Sequence, residues 1–330
     1  MIRFGVIGTN WITEKFLDAA EQTGELKLTA VYSRTADRAA EFAEKHGAGH
    51  TYTDLEEFAA SGEFEAVYIA SPNAFHADQS ILCMNNGKHV LCEKPIASNG
   101  AEMKRMIEAA KENGVLLMEA MKTTLLPNFK AIQSNLHKIG KVRRYVASYC
   151  QYSSRYDAYK EGKILNAFKP ELSNGSMMDI GIYCIAPMAA LFGKPESIQA
   201  TAFMLDTGVD GEGSILFQYP DHDAIVMFSK ITDSHLPSEI QGEEGSILID
   251  KFSTMENVRI VYRNGETENI SVQQNENSMY EEAAEFASLI REGKLESAVN
   301  TFENSLTVLE IMDLSRRQIG LVFPADEVTS

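Results

Sequence analysis

The chain has 330 residues, of which 44% are hydrophobic, and its formal net charge is −17. This length accommodates two domains with a substantial core, and the acidic balance argues against a partner with a phosphate backbone, such as a nucleic acid. We identify no signal-peptide pattern and no apolar window of membrane-spanning length. The four cysteines show neither metal-ligand nor disulfide spacing. We therefore expect a cytoplasmic protein with reduced thiols and no bound metal.

The first third of the chain alternates between strand and helix patterns. Predicted strands cover 2–7, 26–32, 49–52, 66–70, 89–92 and 115–119, and predicted helices cover 12–21, 35–45, 54–60, 77–86 and 101–113. Thr35 and Thr53 are candidate N-caps of two of these helices. Strict alternation is typical of a parallel, doubly wound sheet with right-handed crossovers. The pattern predicts an α/β Rossmann domain over residues 1–122.

The pattern changes after Lys122. Predicted helices cover 128–138, 176–191, 280–291 and 302–319, and predicted strands cover 142–152, 197–205, 214–219, 224–230, 246–249 and 258–262. Asn264 and Gly265 form a strong hairpin signal. We predict that residues 123–330 form an α+β domain with a large, mostly antiparallel open sheet. One face of that sheet needs cover, so we expect a homodimer or a higher homo-oligomer.

The turn after the first strand has part of a dinucleotide-binding fingerprint. Gly8 occupies the place of the first glycine, but Asn10 and Thr13 stand at the other two glycine positions. Asn adopts positive φ more readily than most residues, so the turn can still direct N–H groups and a helix N-terminus at a pyrophosphate. The alternative is an ordinary structural glycine turn. We expect cofactor contacts from Gly8, Thr9, Asn10, Trp11 and Ile12.

The end of the second predicted strand favours NADP(H) over NAD(H). NAD enzymes usually carry a carboxylate there, whereas this chain has Ser33 and Arg34, followed by Arg38. A hydroxyl and guanidinium groups match a 2′-phosphate, which a carboxylate would repel. The alternative is that these side chains are solvated and that Arg38 pairs with Asp37 or Glu41.

Two further loops follow predicted strands at the sheet edge where open α/β folds bind ligands. We expect these loops to contribute Ser71, Pro72, Asn73, His76, Glu93 and Lys94 to the cofactor site. A lysine at the end of an apolar strand requires a partner. An ion pair of Lys94 with Glu93 or Glu119 is the structural alternative to a catalytic role.

An apolar helix in the second domain carries two chemically active side chains. Asp179 and Tyr183 are four positions apart, so a helix presents both on one face. A buried carboxylate requires a cation, and Lys94 is the natural candidate for Asp179; the alternative is that Asp179 caps a turn. Pro187 cannot donate a hydrogen bond to the Tyr183 carbonyl, which predicts a kink or a change of register there.

Together these motifs resemble the glucose–fructose oxidoreductase/inositol dehydrogenase (Gfo/Idh/MocA) family, and in detail its dimeric dihydrodiol dehydrogenase-like branch. The resemblance implies that Lys94 and Tyr183 are catalytic, that Asp179 supports them, and that the second domains pair across a dimer interface. Three positions depart from the usual pattern of this branch, and we expect them to face the substrate: Lys122, Asn166 and Asn174.

The sequence therefore predicts an NAD(P)-dependent dehydrogenase acting on a secondary alcohol or carbonyl of a sugar, polyol or cyclic diol. Tyr183 would exchange the hydroxyl proton. A free tyrosine titrates near about 10, and a neighbouring Lys94 ammonium would favour its phenolate. Asp179 would orient Lys94, and His76 is a possible second hydrogen-bonding group. The alternatives are an NAD-dependent glycosidase of the same fold and a non-catalytic dinucleotide sensor; the combination of Lys94, Asp179 and Tyr183 favours the enzyme.

Overall fold

The computed structural model describes residues 1–327, and the chain divides into two compact units. The first unit contains Met1–Lys122 together with Asn275–Ser305. The second contains Thr123–Gln274 together with the described residues from Leu306 onward. The sequence analysis places all of 123–330 in the second domain, so the structure differs in adding Asn275–Ser305 to the first unit.

The first part of the chain forms a six-stranded sheet with the order β3-β2-β1-β4-β5-β6, in which all paired neighbours are parallel. This order confirms the predicted doubly wound Rossmann architecture. Its strands are β1 Ile2–Ile7, β2 Leu26–Tyr32, β3 His50–Tyr52, β4 Ala66–Ile69, β5 His89–Glu93 and β6 Leu117–Ala120. The helices between them are α1 Trp11–Thr23, α2 Ala36–His46, α3 Leu55–Ala60, α4 His76–Asn85 and α5 Gly100–Asn113.

The remaining chain contains an eight-stranded sheet with the order β14-β13-β12-β11-β7-β10-β9-β8. Only the β10–β7 pair is parallel, which confirms a large, mostly antiparallel sheet. Its strands are β7 Val142–Cys150, β8 Ser197–Met204, β9 Asp210–Gln218, β10 Asp223–Ser229, β11 Ser238–Gly242, β12 Gly245–Ile249, β13 Arg259–Tyr262 and β14 Thr267–Asn269. The helices are α6 Lys122–Leu125, α7 Pro127–Asn135, α8 Ser154–Lys160, α9 Ile182–Phe192, α10 Tyr280–Arg291, α11 Phe302–Ile319 and α12 Pro324–Glu327.

Helix α10 explains why Asn275–Ser305 belongs to the first unit. Its apolar face is buried, and the helix packs against α1. Asn277 lies just before α10 and donates from Nδ2 to the Lys15 carbonyl (2.9 Å) and to Asp18 Oδ2 (2.7 Å). The sequence pattern predicts such a helix, but it does not identify the sheet against which the helix packs.

The caps of two helices differ from the predicted ones. Thr35 stands at the N-cap of α2 in an extended conformation, but its side chain accepts no cap hydrogen bond. Helix α3 begins at Leu55, so Asp54 caps it in place of Thr53, and Asp54 Oδ1 accepts from Glu57 N at 2.9 Å.

The stretch Pro170–Phe192, which ends with α9, is long and apolar enough to cross a membrane by length and composition. The sequence analysis expected no such segment. Most of this stretch is buried inside the protein, as in the core helix of a globular domain.

Candidate active site

The turn between β1 and α1 requires glycine at its first position. Gly8 has φ +102°, a backbone conformation that side chains other than glycine rarely adopt. A Cβ atom at Gly8 would also lie 2.5 Å from the carbonyl oxygen of Ala70, which follows β4. The turn can therefore approach the end of β4 only because this residue has no side chain.

Asn10 stabilises this turn in a different way from the one predicted. Its φ is −104°, so the expected positive φ is wrong, and Asn10 is instead the N-cap of α1. Asn10 Oδ1 accepts from Ile12 N (3.0 Å) and Thr13 N (3.3 Å), and Nδ2 donates to the Ala70 carbonyl (2.9 Å). Thr13 Oγ1 donates to the Gly8 carbonyl (2.9 Å). Side-chain hydrogen bonds thus hold the turn where the fingerprint has its second and third glycines.

The backbone N–H groups at this helix start are only partly used. Because Asn10 accepts from the Ile12 N–H, that group is not available to a cofactor as predicted. The N–H groups of Thr9, Asn10 and Trp11 have no hydrogen-bond partner within residues 1–327. Unpaired N–H groups at a helix N-terminus are a suitable site for a phosphate group. The turn can therefore hold a pyrophosphate.

The two arginines after β2 have different surroundings. Arg38 donates from Nε to Thr9 Oγ1 (3.1 Å) and from Nη2 to the Thr9 carbonyl (2.5 Å), and it forms an ion pair with Glu41 at 2.9 Å. The alternative pairing of Arg38 with Glu41 is thus present, together with contacts to the turn. Arg34 is exposed and has no hydrogen-bond or ion-pair partner in the described part of the chain. Ser33 is half-buried beside it.

His76 joins the two loops that follow β4 and β5. Its Nδ1 lies 2.9 Å from the Pro95 carbonyl and its Nε2 lies 2.8 Å from the Ser71 carbonyl, and the residue is buried. Burial lowers the pKa of His76, and the positive charge of Lys94 acts in the same direction. Both ring nitrogens are occupied by the protein itself. His76 thus has a structural role between the two loops, and its contact with cofactor or substrate stays a prediction.

Glu93 is a buried residue that holds the backbone of Lys94 by a hydrogen bond. Tyr68 Oη donates to Glu93 Oε1 (2.6 Å), and the backbone N–H of Lys94 donates to Glu93 Oε2 (3.2 Å). Burial raises the pKa of Glu93, and Lys94 opposes this rise. Burial also raises the pKa of Glu119, a second buried carboxyl. The positive charge of Lys94 is one of several interactions that lower it. Glu93 is thus a supporting group for Lys94, and its contact with the cofactor stays a prediction.

Three other loop residues of the cofactor prediction lie at the end of β4. Ser71 Oγ donates to Gln79 Oε1 at 2.6 Å. Pro72 and Asn73 are half-buried, and Asn73 begins a short 3-10 turn, Asn73–Phe75. They remain candidates for contact with a dinucleotide.

Lys122 lies in a buried charged cluster of the first unit. Its Nζ donates to Ser278 Oγ at 3.1 Å, and burial lowers its pKa while Glu282 raises it. Glu282 is fully buried, and neither of its carboxyl oxygens has a hydrogen-bond partner within residues 1–327. Burial raises the pKa of Glu282 well above its ordinary value, which favours the neutral acid. The sequence analysis missed Glu282, because adjacent glutamates are typical of a helix surface.

In the second unit, Asp179 and Tyr183 lie on either side of a change in helical register. Asp179 belongs to a π-helical turn, Met177–Gly181, and Tyr183 belongs to α9. The change of register predicted at Pro187 is wrong, because α9 continues through that residue and the π-turn precedes it. The Tyr183 ring packs edge-on against Tyr149 with centroids 5.7 Å apart. π-turns of this kind are frequent at functional sites.

Lys230 is a cation that the sequence analysis did not identify as a partner of Asp179. It follows β10, is buried, and donates from Nζ to Asp179 Oδ2. The predicted strand at 224–230 ends on this lysine, so the signal that identified Lys94 was also present here. Pairing of Asp179 with Lys94, which lies in the first unit, stays a prediction.

Asp210 is a second carboxyl beside this helix. It is fully buried at the start of β9, and Oδ2 accepts from Met177 N at 2.6 Å. Burial raises the pKa of Asp210 to about 7.

Two further residues that were predicted to face the substrate precede Asp179 in sequence. Asn166 is exposed at the start of a 3-10 turn, and Asn174 Oδ1 accepts from Gly175 N at 3.0 Å.

The four cysteines are free thiols, of which three are buried and Cys150 is half-buried. Among residues 1–327, no group of three His, Cys, Asp or Glu side chains is arranged to hold a metal ion.

These features define a class of protein. A parallel sheet in this strand order, with a glycine turn and free N–H groups at the start of α1, is a dinucleotide-binding unit. Residues 2–121 match the oxidoreductase family with an NAD-binding Rossmann fold, GFO/IDH/MocA, and residues 131–248 match the GFO/IDH/MocA C-terminal domain. The chain therefore belongs to the GFO/IDH/MocA family of NAD(P)-dependent oxidoreductases.

Two relatives are similar to this chain over nearly its whole length. It is 59% identical over 327 residues to scyllo-inositol 2-dehydrogenase (NADP(+)) IolU of Bacillus subtilis (strain 168), covering 99% of this chain and 100% of that protein. It is 30% identical over 344 residues to trans-1,2-dihydrobenzene-1,2-diol dehydrogenase of Mus musculus, covering 99% of each chain. The predicted resemblance to the dihydrodiol dehydrogenase branch is thereby confirmed.

A solved structure shares the fold of the complete chain. KijD10, a 3-ketoreductase from Actinomadura kijaniata crystallised with NADP and TDP-benzene, has a TM-score of 0.84 at 24% identity, covering 96% of this chain and 98% of that one. At this identity the likeness concerns the fold alone.

Proposed function

We propose that this protein is an NADP-dependent dehydrogenase of a cyclic polyol, which oxidises scyllo-inositol to the corresponding ketone and catalyses the reverse reduction. The observation that carries this proposal is the identity of 59% over the full length of an NADP(+)-dependent scyllo-inositol 2-dehydrogenase. The residues that would serve this reaction are present in the chain: a dinucleotide turn, Lys94, Asp179 and Tyr183.

The cofactor preference rests on the charges after β2. No carboxylate occupies the position that would hold a ribose 2′-hydroxyl, and the free guanidinium of Arg34 lies there instead. A free guanidinium can form charge-assisted hydrogen bonds with a 2′-phosphate. The unpaired N–H groups of Thr9, Asn10 and Trp11 suit the pyrophosphate. These observations favour NADP(H) over NAD(H).

The acid–base chemistry is assigned to Lys94 and Tyr183. When bound, the nicotinamide supplies or accepts the hydride. In the oxidation, Tyr183 Oη accepts the proton of the substrate hydroxyl, and it donates that proton back in the reduction. Lys94 favours the phenolate of Tyr183 through its positive charge, and Asp179 orients the Lys94 ammonium. Lys122 and Asn166 are assigned to binding the hydroxyl groups of the polyol.

We also propose that the protein is a cytoplasmic homodimer joined through the open face of the eight-stranded sheet. Val146, Ile225 and Leu216 are register partners on three adjacent strands and form an apolar row. Leu216 is 44% exposed, while its sequence neighbours Ile215 and Phe217 are buried on the opposite face. A second copy of the sheet would cover this row.

Steady-state kinetics test the proposed function. The purified protein is assayed with NADP⁺ and NAD⁺ against scyllo-inositol, myo-inositol, glucose, a trans-dihydrodiol and an aryl glycoside, with Tyr183→Phe as the inactive control. The expected result is turnover of scyllo-inositol with NADP⁺ preferred. Cleavage of an aryl glycoside without net cofactor reduction would indicate the glycosidase, and cofactor binding without turnover of any substrate would indicate the sensor.

A further inference from the structure

Lys230 is a buried cation with a fixed backbone. Its backbone N–H donates to the Gly211 carbonyl (2.9 Å), and its carbonyl accepts from Ser153 N (2.9 Å). The side chain is 5% exposed, and its ammonium lies 5.8 Å from the centre of the Phe168 ring. Both the protein backbone and the surrounding side chains therefore determine where the ammonium points.

The ammonium points at Asp179. Within residues 1–327, Asp179 Oδ2 is the one hydrogen-bond partner of Lys230 Nζ. A buried ammonium is costly unless a carboxylate and hydrogen bonds compensate for the lost water. The neutral polar groups that usually satisfy a lysine are not used here. The position of Lys230 is thus tied to the charge of Asp179.

We propose that Lys230 is a positioning residue of the proposed dehydrogenase, which keeps the Asp179 carboxylate ionised and in one orientation for the acid–base pair. This inference rests on the proposed function. Asp179 lies in a π-turn, where the backbone is wider than in an α-helix, so its carboxylate needs an anchor from outside the helix. Lys230 supplies that anchor from the end of β10.

Other ionisable groups also lie near this turn, and their charges bear on the pH dependence of the rate. The elements packed against it carry the following titratable groups: Asp210 and Glu212 on β9, Asp223 on β10, Arg143, Arg144, Tyr145, Tyr149 and Cys150 on β7, and Tyr183 and Cys184 on α9. Arg143 and Arg144 pair with Glu243 and Asp223 at the other end of β7, whereas Lys230 donates to Asp179. Removal of Lys230 should therefore disfavour the ionised carboxylate of Asp179.

The test compares Lys230→Met with Lys230→Arg. The Met variant keeps the length of the side chain without its charge. We expect its kcat to fall roughly tenfold. This loss is smaller than the roughly 10²–10⁴-fold effect of removing an acid–base group. The KM for NADP⁺ should change by less than about twofold, and the acid limb of the pH–rate profile should move to higher pH. The Arg variant should restore most of the rate and the original limb.

Lys88→Met is the matched control. Lys88 is also a buried lysine, but it donates to the carbonyls of Ser61 (2.5 Å) and Phe64 (3.0 Å) and has no carboxylate partner. This variant should lose stability without a shift of the pH–rate profile. If Lys230→Met does not fold, Lys230→Gln replaces it, because glutamine keeps a donor without the charge. An unshifted acid limb in the folded neutral variant would overturn the inference.

Thermal unfolding separates this inference from the proposed function. If the wild-type protein turns over no polyol, the proposed function fails, and the pairing is then judged by unfolding temperatures measured across acidic and neutral pH. A smaller loss of stability on acidification in Lys230→Met than in the wild type supports the pairing, because the variant lacks an ion pair that acid would break. Identical pH dependence in the two proteins overturns it.

Discussion

In the first unit, the positive charges of Lys94 and Lys122 act on three buried carboxyl groups. Glu93, Glu119 and Glu282 are all buried, and burial raises the pKa of each. Lys94 opposes the rise at Glu93 and Glu119, and Lys122 opposes it at Glu93 and Glu282. The two lysines therefore favour the ionised form of these carboxyls, against the effect of burial. Lys94 therefore interacts with buried carboxyls and is not an isolated surface cation.

The acid–base assignment gives the first prediction. Lys94→Ala and Tyr183→Phe should each lower kcat by roughly 10²–10⁴-fold, because Tyr183 exchanges the substrate proton and Lys94 favours the phenolate that accepts it. The double variant should be little worse than the worse single variant, since the two groups act as one unit. Rates within about threefold of wild type for both folded single variants would instead favour the sensor.

The arginines after β2 give the second prediction. Arg34→Ala should narrow the preference for NADPH over NADH by about 1–3 kcal/mol, the scale of a charge-assisted hydrogen bond. Arg38→Ala is the matched control. Because Arg38 donates to Thr9 in the turn, its loss should weaken both cofactors similarly.

The single tryptophan of the chain provides the signal for that measurement. Trp11 is the first residue of α1 and is 64% exposed, so its fluorescence should change when a dinucleotide occupies the turn. Titrations at one fixed salt concentration give both affinities. Equal affinity of the wild type for NADPH and NADH would contradict the assignment of Arg34.

At the scale of elements, the start of the helix that carries Asp179 depends on a carboxyl from another strand. Asp210 on β9 accepts from the Met177 N–H at the beginning of the π-turn. Its folded pKa, about 7, is raised from the ordinary value of 3.8 by burial. The native carboxyl therefore stays protonated at pH values where the unfolded one has ionised. Its contribution to stability is present at low pH and is lost as pH rises toward about 7.

The third prediction concerns this cap. Asp210→Asn keeps an oxygen that can accept from Met177, but it removes the ionisation. Relative to wild type, the variant should gain on the order of 2 kcal/mol of stability between about pH 5 and about pH 8. Unfolding temperatures at the two pH values measure the change. Asp54→Asn is the control, because Asp54 caps α3 in solvent. The same difference from wild type at both pH values in Asp210→Asn would contradict the prediction.

Elements with strong local patterns could be predicted from the sequence. The bounds of β1, β2, α10 and α11 agree with the predictions, because apolar runs and helical periodicity are properties of adjacent residues. The short strands β11 and β14 were missed. β14 is a polar edge strand with the sequence Thr-Glu-Asn, and it exists through its pairing with β13.

The candidate site was predictable in part for the same reason. Motifs next to strand ends identified Gly8, Lys94 and Tyr183 as candidates. The π-turn, the Asp210 cap and the Lys230 ion pair were not predicted, because they depend on residues 33 and 51 positions away in sequence. The hydrogen bonds of Asn10 and His76 were also not predicted, since their partners are backbone carbonyls that folding brings to them.

At the scale of the whole molecule, the eight-stranded sheet has one face that the chain itself covers incompletely. Tyr145, Ala224 and Phe217 are buried on the inner face. The outer face carries the row of Val146, Ile225 and Leu216 described above.

The fourth prediction tests this face. The wild type should be a dimer at micromolar concentration by light scattering. Leu216→Lys should weaken the dimer by at least roughly tenfold, because the interface would bury an unpaired charge. Leu236→Lys is the control, since Leu236 is also exposed (70%) but lies outside the strands. A monomeric wild type, or equal dimerisation of the Leu216 variant, would exclude this interface.

Hydride transfer from a cyclic polyol to NADP⁺ is the central claim, and isotopic labelling follows it most directly. The enzyme is incubated with NADP⁺ and scyllo-inositol deuterated on its ring carbons, and the reduced cofactor is analysed by mass spectrometry. We expect NADPH that carries one deuterium, formed far more slowly by Tyr183→Phe, and we expect NAD⁺ to give deuterated NADH more slowly than NADP⁺ gives deuterated NADPH. A wild-type protein that binds NADP⁺ but forms no deuterated NADPH would contradict the account.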